Sequence, residues 1–295
     1  MPTGIEYVDE TINLWVGCRK MSPGCGHCFA ERAVDHGRLK HLYPRGFGSI
    51  HYRPRRLLKV FNWRKPKRIF INDLSDFYDP RVRDALRVWA FGVMEGAHCH
   101  TFLNFTKRTE EMLAFQRRYY PGGLPDNVMP IMSVENQEWL ERRMEHFAQV
   151  NARLRGVSLE PLLGPVDLTP WLRARKGADY EEGWEMEEAW IERPVLQWVI
   201  VGGESGPNAR PCHPDWIRSI RDQCQEAGVP FFFKQWGEWA PTTAFTDFHD
   251  QMWAGRQRGL RFNNGEWVYR VGRKAAGALL DGKEHREWPL RERPE

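Results

Sequence analysis

Short apolar runs rich in β-branched and aromatic residues alternate along this chain with amphipathic helical stretches, and nearly every run ends in a carboxylate, an amide or an amine. These two observations predict an α/β fold, a partial TIM-like β/α barrel of about six to seven parallel strands wrapped by helices. In such barrels the chemistry gathers at the C-terminal strand ends, because the loops that follow all open on one face. The length agrees: 295 residues, 41% hydrophobic and 28% charged, suit a soluble domain of this kind. The barrel is expected over residues 1–239, with 169–194 as an inserted acidic excursion and 240–295 as a C-terminal extension packed on it.

The first expected strand, Asn13–Gly17, leads into a cysteine-bearing loop and a helix over Cys28–His36. Arg68–Asn72 is the second, followed by a helix over Pro80–Glu95 whose proline suits a first turn. Thr101–Phe105 is the third, followed by a helix capped by Thr109, with Glu110 and Glu111 favourably placed near its N-terminus. The fourth, Val128–Ser133, precedes a helix over Gln137–Val150 that puts Leu140, Met144, Phe147 and Ala148 on one face. Arg155–Leu159, Gln197–Val201 and Val229–Lys234 supply the last three strands, with Pro214–Glu226 helical between the final two. Two stretches break the rhythm. Thr169–Pro194 is acidic and Trp-rich (Glu181, Trp184, Glu187, Trp190), and the tail from Ala240 holds a strand-like piece, Glu266–Val271, and a Gly/Lys-rich one, Gly272–Gly282.

Cys18, Cys25 and Cys28 stand as C-x6-C-x2-C after the first strand, with no fourth partner nearby. A structural zinc site closes with four protein ligands, whereas three thiolates can hold a [4Fe–4S] cluster whose remaining iron stays open. The other cysteines, Cys99, Cys212 and Cys224, are scattered and suggest no disulfide framework. No run of 18 apolar residues occurs, and the start MPTGIEYVDE lacks the basic and apolar regions of a secretory signal. A cytoplasmic protein without a membrane partner is expected.

The polar strand ends form a series. The second strand is followed by Asn72, Asp73, Ser75 and Asp76; the third by Asn104, Thr106, Lys107 and Arg108; the fourth by Ser133, Glu135 and Asn136. The fifth ends in Ser158 and Glu160, the sixth in Gly202, Gly203, Glu204, Ser205 and Gly206, and the seventh in Lys234, Gln235 and Trp236. Any one of these also reads as a helix cap, and the glycines as a tight turn. The glycines lack the G-x-G-x-x-G order of a dinucleotide fold.

Charge is uneven. The net +4 divides into +9 over residues 1–120 (21 Lys/Arg, 12 Asp/Glu) and −5 over the remainder (22 and 27). The excess concentrates in Arg53, Arg55, Arg56, Lys59, Arg64, Lys65, Lys67 and Arg68, interleaved with Tyr52, Phe61 and Trp63. Such a mixture either binds phosphates and stacks bases or forms a solvated connector.

The cysteine loop in its barrel-like order resembles the radical S-adenosylmethionine (SAM) enzymes, whose usual motif is C-x3-C-x2-C. With its longer first spacer, and with Phe29-Ala30-Glu31 following, it is similar to a phage-associated three-cysteine-motif family described as radical-SAM-like. Gly4–Glu31, Thr106–Glu110, Gly202–Trp216, Pro230–Trp239 and Val271–Gly277 carry the likeness along almost the whole chain. The resemblance implies a [4Fe–4S] cluster on Cys18, Cys25 and Cys28, with SAM on the open iron. It also implies reductive cleavage of SAM to a 5′-deoxyadenosyl radical that takes a hydrogen from a nucleic-acid base or nucleotide. By the same resemblance, His27 lies by the adenine and Asn72, Asp73, Ser75 and Asp76 hold the SAM amine. Ser133, Glu135 and Asn136 hold the ribose, and Gly202, Gly203 and Glu204 the adenine side. Lys234, Glu160 and Lys107 are the expected catalytic residues, gripping substrate or moving a proton, with Arg108 and Gln235 beside them. An electron donor and a companion protein encoded nearby are the implied partners.

Two other readings stay open. In one, His27 or His213 completes a zinc tetrahedron with the thiolates of a non-redox, nucleic-acid-associated phage protein. In the other, the cysteines are incidental and Glu135, Glu160 and Glu204 do the acid–base work of a hydrolytic or transferase barrel.

Overall fold

The computed structural model describes residues 4–173 and 194–289. In chain order the elements are β1 (Glu10–Ile12), β2 (Trp15–Val16), α1 (Phe29–Asp35), β3 (His51–Tyr52), β4 (Arg68–Ile71), α2 (Asp84–Gly96), β5 (Thr101–Thr106), α3 (Thr109–Tyr119), β6 (Val128–Val134) and α4 (Gln137–Phe147). They continue with β7 (Gly156–Leu159), α5 (Thr169–Leu172), β8 (Trp198–Gly202), α6 (Pro214–Ala227), β9 (Phe231–Gln235), β10 (Trp239–Ala240), α7 (Phe248–Ala254), β11 (Gly259–Arg261), β12 (Trp267–Arg270) and α8 (Arg273–Ala276). Seven strands form one parallel sheet in the order β1-β4-β5-β6-β7-β8-β9. This is the predicted partial β/α barrel.

The sheet is curled. Strands β5 and β9 are separated by four strand spacings, about 19 Å on a flat sheet. Yet the ring of Tyr7 lies 5.7 Å from that of Phe105 on β5 and 5.7 Å from that of Phe232 on β9, with Trp198 of β8 at 6.1 Å. Tyr7, Leu103, Phe105, Ile131, Trp198, Ile200 and Phe232 pack as an inner cluster inside the curl. The larger core lies outside it, between the sheet and its helices. β1 and β9 do not pair, so the barrel stays open. The free edge of β9 is covered by the chain end: Phe233 N donates to His285 O (2.9 Å) and Glu287 N to Phe231 O (3.2 Å). Covering an edge in this way removes a template for aggregation.

The first strand differs from expectation. It is Glu10–Ile12, ahead of Asn13–Gly17, because the Asn13 side chain ends the ladder. Its Oδ1 accepts from Leu74 N (2.9 Å) and its Nδ2 donates to Asp73 Oδ1 (2.5 Å). Trp15 and Val16 then turn aside to pair antiparallel with β3. The second helix also starts late, at Asp84. Asp79 Oδ1 accepts from Arg81 N (3.1 Å), which makes Pro80 a turn residue and not a helical one. Thr109 is the first helical residue of α3, with Arg108 in the cap position. Of the predicted excursion, α5 is its beginning, and Glu181, Trp184, Glu187 and Trp190 lie outside the described residues. Among the described residues no helix is long and apolar enough to cross a membrane.

Asp281 ties the C-terminal segment to α6. Its Oδ1 accepts from Arg218 Nη2 (2.9 Å) and its Oδ2 from Arg221 Nη1 (2.7 Å). Burial works to raise its pKa, but the hydrogen bonds from the two arginines outweigh it and hold the carboxyl below the usual range. A depressed folded-state value means that the contribution is fully present above the unfolded pKa and lost as pH falls through the folded one. Asp281→Asn is therefore expected to lower the melting temperature at neutral pH. The gap to the unsubstituted protein should close as calorimetric scans are taken below about pH 4.

Candidate active site

Inside the curl the strands change character within two residues. Phe70, Phe105, Ile131, Ile200 and Phe232 form an apolar floor. The next positions of the same parity are Asn72, Lys107, Ser133, Gly202 and Lys234, because side chains alternate faces along a strand. Ser133 and Ser158 are partners in register on β6 and β7. Above them Ser158 Oγ donates to Glu160 Oε1 (3.4 Å), and Lys234 Nζ donates to Glu160 Oε2 (2.5 Å). The Lys234 ammonium also sits 5.1 Å from the centre of the Tyr7 ring. Burial pushes the Tyr7 hydroxyl well above its ordinary pKa, and the charge of Glu160 adds to this. Burial likewise raises Asp73, against the hydrogen bond from Asn13 and the charges of Arg56 and Lys234. Tyr7, Asp73, Glu160 and Lys234 thus share one polar centre above the aromatic floor.

The cysteine loop is fastened to this mouth at two points. On one side, the buried Glu135 carboxylate accepts from Ser22 Oγ and from Gly24 N (3.2 Å), and Arg143 Nη1 donates to its other oxygen (2.9 Å). A Cβ on Gly24 would stand 2.5 Å from Glu135 Cγ, so only glycine admits this approach. On the other side, Glu204 Oε1 accepts from Arg210 Nη2 (2.6 Å), which also donates to Pro23 O (3.0 Å). His27 Nδ1 donates to Glu204 Oε2 (3.1 Å). Burial acts to raise Glu204, but the Arg210 hydrogen bonds prevail and hold it below the usual carboxylate range.

Cys18 leaves β2 with its N–H on Phe47 O (3.1 Å), Cys25 closes a 3-10 turn over Pro23–Cys25, and Cys28 stands at the cap position of α1. All three are partly exposed. Burial, then the charge of Asp76, pushes the Cys18 thiol up to about 12. Burial also raises Cys28, opposed by the backbone amides of Glu31 and Ala30 and by the charge of Lys107. A bound metal inverts this, since coordination deprotonates a thiol outright.

Several residues expected to face a cofactor are engaged within the protein. Asp76 accepts from Thr106 Oγ1 (2.7 Å) and from Lys107 N (3.0 Å), joining the ends of β4 and β5. Ser75 Oγ donates to Trp15 O (2.9 Å), and Asn72 Oδ1 accepts from Leu14 N (2.8 Å). Asn136 Oδ1 accepts from Trp139 N (3.1 Å), the cap of α4. A Cβ on Gly203 would lie 1.8 Å from Trp236 O, and one on Gly202 3.2 Å from Glu160 Cγ. The close approach at Gly203 is therefore to the end of β9. Gly203→Ala is expected to destabilise the fold by about 3 kcal/mol, read from the urea midpoint at unchanged slope. Buried atoms without a partner remain at the strand ends, Asn72 Nδ2 and Gln235 Oε1 among them.

The model of the family described as "Protein of unknown function (DUF5131)" matches residues 2–289. The chain belongs to this family. No curated protein matches it. Two solved structures of spore photoproduct lyase are similar to it. One, a doubly substituted variant with AdoMet and dinucleoside spore photoproduct bound, aligns with 92% of this chain and 69% of its own at 10% identity and a TM-score of 0.41. The other, complexed with dinucleoside spore photoproduct, aligns with 87% and 66% at 10% identity and a TM-score of 0.40.

In this DUF5131 protein four contributors to the site had no role assigned from the sequence: Tyr7, Ser22, Arg143 and Arg210. Arg143 left a signal, a cation on the apolar stripe of α4 between Leu140, Met144 and Phe147. Such a residue stays buried only with a partner. The histidines considered for zinc are engaged elsewhere. His27 donates to Glu204, while His213 Nδ1 accepts from Asp215 N (3.0 Å) at the start of α6. Among the described residues, no three His, Cys, Asp or Glu side chains form a group able to hold a metal ion.

Proposed function

We propose that this chain is a radical-SAM-like enzyme in which Cys18, Cys25 and Cys28 hold a [4Fe–4S] cluster, with SAM as the ligand of its open iron. A nucleic-acid base or nucleotide is the substrate over the aromatic floor. The observation that carries this reading is the fastening of the cysteine loop, where Glu135 and the Glu204–Arg210 pair hold Ser22, Pro23 and Gly24 and so present three thiols at the mouth. The donor set fits such a cluster. Each thiolate binds a different iron and the fourth is left to a non-protein ligand, so the sulfurs need not converge on one point as they do around zinc.

When bound, the cluster supplies the electron for reductive cleavage of SAM to methionine and the 5′-deoxyadenosyl radical. The chain's own residues position and shield. Asn72 Nδ2 and Gln235 Oε1, buried and unpartnered, offer a donor and an acceptor to a polar ligand. Lys107 offsets thiolate charge at Cys28. Lys234, held by Glu160 beside Tyr7, carries a proton at Nζ where substrate would lie, and the aromatic floor excludes water. In this reading His27 serves adenine and Ser133 the ribose, and an electron donor and a companion protein complete the system.

Anaerobic reconstitution is expected to load about four irons and four sulfides per chain, and reduction with SAM to release 5′-deoxyadenosine. A folded, reconstituted sample that lacks cluster absorption, or that binds zinc without sulfide, overturns the reading.

A further inference from the structure

The structure divides the basic stretch into two parts with different fates. In its lower part Lys59, Lys67 and Arg68 are engaged, whereas Arg64 and Lys65 are exposed and make no ion pair among the described residues. Lys59 and Lys67 pair with Glu10 (3.7 and 2.9 Å) and flank the Trp63 ring, while Arg68 pairs with Asp9 (3.1 Å). In its upper part Arg53, Arg55 and Arg56 make no ion pair among the described residues, and with Tyr52 and Pro54 they line a shallow, open surface depression of about 460 Å³. Arg55 and Arg56 are exposed, as is the Tyr52 ring, at 48%.

The depression adjoins the mouth. Tyr52 lies opposite Trp15 in the pairing of β3 with β2, the strand that runs into Cys18. Arg53 N donates to Leu14 O (2.6 Å), and the charge of Arg56 reaches Asp73 beside the end of β4. At neighbouring His51 protonation is disfavoured by burial and then by the charge of Arg45, with Arg53 adding to them against a backbone hydrogen bond to Gly46.

We infer that this depression binds the phosphate backbone of a single-stranded nucleic acid and that Tyr52 stacks on one of its bases, so that the half-barrel takes a base from a polymer and not a free nucleotide. The binding stands by itself; only the delivery of a base rests on the proposed function. Guanidinium forks match phosphate oxygens, and an exposed ring can stack only on a base that is not already paired in a duplex.

The test is fluorescence anisotropy of the full chain with labelled single-stranded DNA and RNA, a duplex and a polyglutamate peptide, without SAM or reductant. Single strands should bind tightest. Arg55→Ala/Arg56→Ala should weaken binding at least about tenfold at low salt and flatten the log K against log salt slope by about 1.4, two phosphates at about 0.7 each. Tyr52→Ala should weaken it about fivefold or more with the slope unchanged. Arg64→Ala/Lys65→Ala, at the far end of the segment, should bind as the unsubstituted protein does.

Equal losses in the two double variants, no loss in either, or peptide or duplex binding as tight as single strands overturns the inference. So does competition by a nucleoside monophosphate that matches the strand nucleotide for nucleotide. Matching circular dichroism and melting temperatures guard against misfolding. Failed binding with SAM cleavage intact sinks this inference alone, and failed cleavage with binding intact sinks the proposed reaction alone.

Discussion

Cys25→Ala is expected to leave the anaerobically reconstituted protein without cluster iron and sulfide. Release of 5′-deoxyadenosine should fall at least about a thousandfold, the order seen when a centre that works as a unit loses one member. Cys18→Ala and Cys28→Ala should match it, because no other donor stands ready. His27 is held by Glu204, and His213 serves the start of α6. The remaining cysteines give the contrast. Cys212 and Cys224 are buried, with thiols pushed far up by burial, and Cys99 is exposed and distant in sequence from the loop. Cys99→Ser and Cys212→Ala should therefore retain full iron, sulfide and 5′-deoxyadenosine release. Absorption spectra, iron and sulfide assays and product chromatography read all five variants together. Undiminished iron, sulfide and 5′-deoxyadenosine release in Cys25→Ala would overturn the assignment of the three cysteines as the cluster's ligands.

The fold was largely legible because its signal is repeated. Six of the seven parallel strands fall within two residues of the apolar runs that announce them, and the polar residues at their ends do gather at one mouth. The exception, β1, is set by the Asn13 side chain bonding to Asp73 and Leu74 across about sixty residues, which no local pattern records. The use of each polar group was not legible. A glutamate at a strand end reads the same in sequence whether it holds a ligand or a distant loop, and Glu135 and Glu204 hold the loop. Gly203 is similar: a glycine needed for close approach does not declare what approaches, and here it is the carbonyl of Trp236. Tyr7 precedes the first strand without a periodic neighbour, yet it is the ring around which the sheet curls.

Glu135 is where stability and loop position can be separated. Burial acts to lower the Arg143 guanidinium pKa and Glu135 opposes it, with Ser133 O accepting from Nη1 (2.5 Å) and the Trp139 ring 4.6 Å away as further supports. Glu135→Ala strands that cation and should cost about 3–5 kcal/mol in urea unfolding. Replacing both members, Glu135→Met/Arg143→Met, removes the buried charge and should recover most of that loss, since a well-packed apolar pair of similar volume is often neutral or better. It cannot recover the acceptor for Ser22 Oγ and Gly24 N. The double variant is therefore expected to unfold near the unsubstituted midpoint yet load less than about half the iron, since the loop between the first two thiols is no longer held. Full iron loading in the stable double variant would mean that Glu135 serves the core alone and that the cysteine loop finds its position without it.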